Sequence, residues 1–307
     1  MASRPLSRYK PLRLPRIVLP EPVMTVGIGV LCSSKPRPHP IRPDSLILMA
    51  DTMGSTEYDS TSELHKICIE KDENLFLACA GDMAICNDVG SLIKENFSKL
   101  PQRTHGPIWE AINSAVQDVL VARFHWDVLR PKYVFSPGTI FDSQRENVTA
   151  EWQAYHPELQ MLIGTFHQSG MALLYLVNRF EGSHAWVHLC QYPGHMAIGS
   201  GGYNADFWLK FRNQQLGLNL RQSAYHTSEA KAMAAKTPTV NANIDMVLAF
   251  SDRHYVLSDE KPEAEGCPFS LTELVAMYPQ YGPQSTYELG HQPLPKPSVS
   301  RKLKPGQ

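Results

Sequence analysis

Thr25 directly follows a methionine, and a small residue at that position permits methionine removal if translation starts at Met24. Cleavage of the same bond by any other route leaves the same product, a free α-amine on a hydroxyl-bearing residue. Such an amine has a pKa of about 7.7–8.0, so near neutral pH it can take the proton of its own hydroxyl and make it a nucleophile. The β-branched side chain also suits a plain strand position. Asp51, in "LILMADT", closes an apolar stretch and shares a strand face with Ile47 and Met49. A carboxylate there is costly unless paired. Lys66, in "SELHKICIE", aligns with Cys68 rather than with Ile67 and Ile69. A buried lysine needs a carboxylate in turn, and its charge shifts the pKa of its neighbours. The two could hold a cation beside Thr25, or they could be strand-end charges that meet solvent.

Two glycine turns add backbone donors. In "AIGSGGYNADFW" (197–208), Gly199, Gly201 and Gly202 open a helix with Ser200 at the turn. N–H groups at such a terminus suit an anion, a capping hydroxyl or an oxyanion. The stretch lacks the Lys-Ser/Thr of a phosphate loop. In "ACAGDMA", Gly81 stands between strand and helix, where its N–H could face a developing oxyanion or the glycine could simply make a tight turn. His184, His188 and His195 cluster without an H-E-x-x-H helix or a convergent acid, so no metal site is expected. There is no G-x-S-x-G elbow and no dinucleotide-binding glycine fingerprint. An amine-activated hydroxyl needs neither metal nor organic cofactor, and none is expected.

The elements that must position these residues read as α+β. "TVGIGVLC" (25–32) alternates, with Val26, Ile28, Val30 and Cys32 on one face and Thr25, Gly27, Gly29 and Leu31 on the other. Strands are expected at "SLILMADT", "HKICIE" and "LFLACAG", then helices at Asp82–Leu100 and roughly Pro107–Leu129, and an irregular stretch at 131–150. Strands resume at "LQMLIGTF", "MALLYLVNRF", "SHAWVHLC" and "MAIGSG". Helices at 202–215 and 222–236 precede a last hairpin, "IDMVLAFSD" and "HYVLSD". Strands, two helices, strands, two helices, strands: this order suits antiparallel sheets covered by helix pairs and not a doubly wound parallel sheet.

Composition sets the outer limits. The chain has 307 residues, 43% of them apolar and 19% charged, with a formal net charge of −1, so no charge excess points to nucleic acid. No apolar run reaches the roughly 18 residues needed to span a bilayer. The six cysteines form no C-x-x-C pair and mostly sit in apolar runs, which fits a reducing, cytoplasmic setting. Residues 1–23 carry five basic residues, one acidic residue and five prolines, too many prolines for a presequence helix. Residues 260–307 hold eight prolines, with room for a short helix near Leu271–Met277. The expected division is a leader or propeptide (1–24), a folded domain (25–258) and a Pro-rich extension (259–307).

In this order, Met24-Thr25-Val-Gly-Ile-Gly, "LILMADTMGS", "HKICI", "LFLACAGDMA" and "AIGSGG" resemble proteasome β-type subunits and the bacterial HslV-type peptidase. These are N-terminal-nucleophile hydrolases, and the likeness runs over roughly residues 25–258. The resemblance implies a four-layer αββα sandwich. It implies Thr25 as nucleophile and base, Asp51 orienting the active-site lysine, Lys66 as that lysine, Gly81 in the oxyanion hole and Ser200 near the terminal amine. The sequence departs from the family at Met53, where an arginine is usual, and around Thr237, Asn241 and Ala242, where an aspartate and glycines are usual. The loop after the first strand is also long. The function implied is threonine-type amide or peptide hydrolysis after removal of residues 1–24. The alternatives are an inactive ring or assembly subunit and a non-peptidase amidase of the same fold. The partners implied are like subunits in a ring or other homo-oligomer, a polypeptide substrate and an ATP-dependent unfoldase, with no nucleic acid or membrane.

Overall fold

The computed structural model describes residues 26–34, 42–52, 66–130, 145–179, 185–237 and 240–277. Thr25, Met53, His184, the leader and most of the C-terminal extension lie outside the described residues. Four strands come first: β1 (Gly27–Cys32), β2 (Ser45–Ala50), β3 (Ile67–Glu70) and β4 (Leu75–Gly81). Helices α1 (Met83–Ser98) and α2 (His105–Phe124) follow, α2 running on into a π-helical turn at His125–Leu129. After α3 (Arg145–Ala154) come β5 (Leu159–Phe166), β6 (Ala172–Arg179), β7 (Ala185–Leu189) and β8 (His195–Ile198). The chain then forms α4 (Gly202–Phe211), α5 (Leu220–Ala234), β9 (Asp245–Phe250), β10 (His254–Ser258) and α6 (Leu271–Ala276).

The strands make two sheets, ordered β10-β9-β2-β1-β8 and β3-β4-β5-β6-β7, and every neighbouring pair is antiparallel. Alternation along each strand decides what it touches. Ile28, Val30, Ile47 and Met49 pack with Ala205, Leu209 and Ala230 of α4 and α5. Leu31, Leu46 and Leu48 meet Phe76, Ala78 and Leu174 of the other sheet. Leu77, Met161 and Tyr175 pack with Val89, Ile93 and Ile112 of α1 and α2. The mixed α+β class, with two antiparallel sheets and helices, thus follows from which residues share a face.

One helix differs from expectation. The stretch 131–150 reads as irregular, yet α3 begins at Arg145. Its sequence, RENVTAEWQA, has no apolar stripe; Trp152 anchors it, edge-on to Phe124 at 4.8 Å between ring centroids. Close approach of the sheets depends on missing side chains. A Cβ at Gly164 would lie 2.0 Å from Leu46 Cδ2 of the other sheet. Gly164→Ala is therefore expected to cost about 1–3 kcal/mol through overpacking. A denaturant midpoint equal to the wild type would refute that account.

Candidate functional site

Strand register gathers one end of the first sheet. Gly27 pairs with both Ala50 and Ile198, and Ala50 pairs with Asp245, so Val26, Asp51, Gly199 and Ile244 flank the same edge. Asp51 has no exposed surface and Lys66 is 4% exposed. Lys66 Nζ donates to Asp51 Oδ1 at 2.8 Å, and the Val26 backbone N–H donates to the same oxygen at 3.1 Å. The Asp51 N–H answers with a bond to the Val26 carbonyl at 3.3 Å. The first sheet's edge and the start of β3 in the second sheet therefore meet on one carboxylate. Burial pulls the Lys66 pKa below its ordinary value, while the charge and hydrogen bond of Asp51 oppose that fall.

Gly81 ends β4 with φ +100°, and a Cβ there would lie 2.4 Å from the Glu158 carbonyl oxygen. The next residue, Asp82, caps α1 by accepting from the Ala84 and Ile85 N–H groups and donates its own N–H to Glu158 O at 2.8 Å. Only glycine fits this turn without strain. Gly81→Ala is expected to lose about 1–3 kcal/mol from backbone strain alone, read as a fall in Tm; an unchanged Tm would count against the left-handed turn. Ser200 stands exposed in the turn after β8. Gly199, just before it, donates its N–H to Gln160 Oε1 at 2.7 Å. Gln160 pairs with Ala80, so this side chain links the Ser200 turn to the strand that ends in Gly81.

Three of the expected site residues, Asp51, Lys66 and Gly81, thus end strands that pack against each other, with Asp51 and Lys66 in direct contact. Thr25 is outside the described residues; Val26, which follows it in sequence, is held on Asp51. Among the described residues, no group of three His, Cys, Asp or Glu could hold a metal ion. No described helix is long and apolar enough to cross a membrane.

Sequence reasoning missed Gln160 and a second lysine. Lys231 lies in α5 with no exposed surface, and its Nζ donates to the Asn241 carbonyl at 2.6 Å. The Asn241 amide donates in turn to Thr52 Oγ1 at 3.2 Å, one residue from Asp51. Burial brings the Lys231 pKa down to about 8, against the attraction of Asp51 and Asp259 and with the help of Lys66. Between about pH 8 and 10.5 the unfolded chain holds a proton on this lysine that the folded chain has lost, so stability rises with pH across that window. The gain attributable to Lys231 is about 3 kcal/mol. In chemical denaturation the difference between wild type and Lys231→Met should grow in favour of the wild type over that range; a pH-independent difference would contradict it.

No family model matches the chain, and no curated protein sequence does. Solved structures match by shape. Anbu (ancestral beta-subunit) from Yersinia bercovieri aligns at TM-score 0.55 with 12% identity, covering 89% of this chain and 99% of that one. The Gly-1 mutant of Anbu from Hyphomicrobium sp. strain MC1 aligns at TM-score 0.51 with 14% identity, covering 77% of this chain and 88% of that one. The fold is therefore a proteasome-like one. These neighbours correct the assignment to proteasome β-type subunits and HslV-type peptidases: they are Anbu proteins, proteasome-like but distinct, and no family model supports the narrower assignment. The physical reason is that motifs such as "ADT" and "GSGG" are strand ends and tight turns. Turns of this kind serve to build a sheet edge, so they mark a fold and not one family within it.

Proposed function

We propose that the chain is a threonine-type amide or peptide hydrolase of N-terminal-nucleophile type, with Thr25 as nucleophile and base once residues 1–24 are removed. The observation that carries this reading is the shared carboxylate: Asp51 Oδ1 binds both the Lys66 ammonium and the N–H of the residue after Thr25. A buried cation so placed keeps a neighbouring amine neutral and stabilises an anion formed on a neighbouring hydroxyl. The hydroxyl oxygen attacks the amide carbon, the amine takes the hydroxyl proton, and that proton passes to the leaving nitrogen as the C–N bond breaks. Water then releases the acyl group. Gly81 and Ser200 are assigned to the oxyanion and to the terminal amine. The packing of α1 and α2 on one sheet, of α4 and α5 on the other, and of sheet on sheet supports a four-layer αββα sandwich.

The same reading divides the chain into a removable leader (1–24), the hydrolase domain (25–258) and an extension (259–307). It places like subunits in a homo-oligomer, supported by Tyr203, Phe207 and Phe211 exposed along α4. A cytoplasmic setting is supported by six unpaired cysteines. The second reading, an inactive assembly subunit, is favoured by the same exposed Tyr203, Phe207 and Phe211, which fit subunit contacts whether or not chemistry occurs. N-terminal sequencing of the purified protein, with an intact-mass search for an adduct of an electrophile that needs both amine and hydroxyl, separates the two. A chain that begins at Thr25 and takes the adduct supports the hydrolase. A chain that retains residues 1–24 and takes none supports the assembly subunit.

A further inference from the structure

Lys231 is a lysine without exposed surface in the last turn of a helix that packs on β1 and β2. An ammonium so buried carries a large desolvation penalty, and the single carbonyl it binds, that of Asn241, could be satisfied by a neutral donor. The hydrogen bond alone therefore does not account for a charged side chain here. What distinguishes the position is its surroundings. Asp51 and Asp259 attract the ammonium and Lys66 repels it. On its own helix, Glu229 is engaged by Arg212 and Tyr225. On α4, Asp206 and Lys210 bind each other, and on α6, Glu273 closes its own capping box. One buried lysine is thus bonded to the Asp51 carboxylate directly, and a second is tied through Asn241 to Thr52, the residue that follows Asp51 in sequence.

We infer that Lys231 is a positioning residue of the Asp51–Lys66 site: through Asn241 and Thr52 it fixes the segment that adjoins Asp51, and its charge disfavours protonation of the bases grouped there. The second effect rests on the hydrolase reading; the first does not. Lys231 keeps its charge below about pH 8, where an N-terminal amine takes up its proton. A like charge lowers that amine's affinity for the proton, so removing it moves the acid limb of the rate profile to higher pH.

The test uses the protein beginning at Thr25, its N-terminus checked by sequencing, with Lys231→Met (neither charge nor donor) and Lys231→Gln (a donor without charge). Amide hydrogen exchange over residues 240–245 is expected to accelerate at least about tenfold in the Met variant. Unchanged exchange there overturns the relay. The acid limb of kcat/KM on a fluorogenic peptide amide is expected to rise by about half a unit to one unit in both variants; a Gln profile that coincides with the wild type overturns the charge effect. If the Met variant does not fold, the Gln variant decides the charge effect, and Thr52→Val, which removes the acceptor of the Asn241 amide, decides the relay: it is expected to accelerate the same exchange, and unchanged exchange overturns the relay. If the wild type hydrolyses no substrate while the Met variant shows the faster exchange, the Thr25 reading fails and the relay stands.

Discussion

Asp51→Leu is expected to destabilise the fold by about 3–5 kcal/mol, because it strands a buried ammonium without its counter-ion. Lys66 is 4% exposed and its Nζ lies 2.8 Å from Asp51 Oδ1, so water cannot take over the lost partner without opening the sheets. The variant also loses the acceptor of the Val26 N–H and removes an attraction that offsets the repulsion of Lys231 by Lys66. Lys66→Met alone leaves a carboxylate with no exposed surface and is expected to be costly too. The double variant Asp51→Leu/Lys66→Met should recover most of the loss, since apolar groups of similar volume often replace a buried ion pair at little cost. A double-mutant cycle by urea unfolding checks this, with an interaction energy of at least about 2 kcal/mol expected. Additive single effects would mean that the two charges do not depend on each other.

The legible part of this molecule is what repeats along the chain. Ile28, Val30, Ile47 and Met49 could be assigned to one face, and Leu31, Leu46 and Leu48 to the other, because period two survives even where the strands are almost wholly apolar. Helices α1, α2, α4 and α5 show the same at period 3.6, and the order of elements then excludes a doubly wound sheet. Three features were not legible. The helix α3 has no stripe and is held by Trp152 against Phe124, a contact between distant segments. Lys231 lies on a helix whose pattern looks like any amphipathic one, and only packing on β1 and β2, from the other end of the chain, turns that position inward. Gln160 occupies a strand position that reads as ordinary, and its partner, the Gly199 N–H, is 39 residues away. Asp51 and Lys66 were legible as types, since a charge at an apolar strand end needs a partner. Their meeting was not fixed by spacing; the sheets decide it. At 12–14% identity the neighbours share the fold alone, the level at which the sequence pattern was legible.

In a chain that begins at Thr25, Thr25→Ala is expected to lower kcat/KM at least about 1,000-fold, the scale on which removal of a covalent nucleophile is felt, with Tm unchanged. Thr25→Ser keeps both hydroxyl and amine and should retain most of the rate. Full-length protein with residues 1–24 in place should be as inactive as the alanine variant, because an amide nitrogen has no basic lone pair to accept the hydroxyl proton. Lys66→Met supplies a control of another kind: nucleophile and amine remain, the cation is gone, and the loss expected is about 100- to 10,000-fold. The acid limb should also move to higher pH, since the hydrolase reading sets the Lys66 charge beside the amine and the variant removes it. These variants read differently under the competing description. An inactive assembly subunit would show no rate for any of them, yet would still register Lys66→Met as a loss of stability, because the Asp51 carboxylate is buried whether or not chemistry occurs beside it. A measurable rate that survives Thr25→Ala unchanged would place the reacting group elsewhere in the chain and remove the ground for a threonine nucleophile.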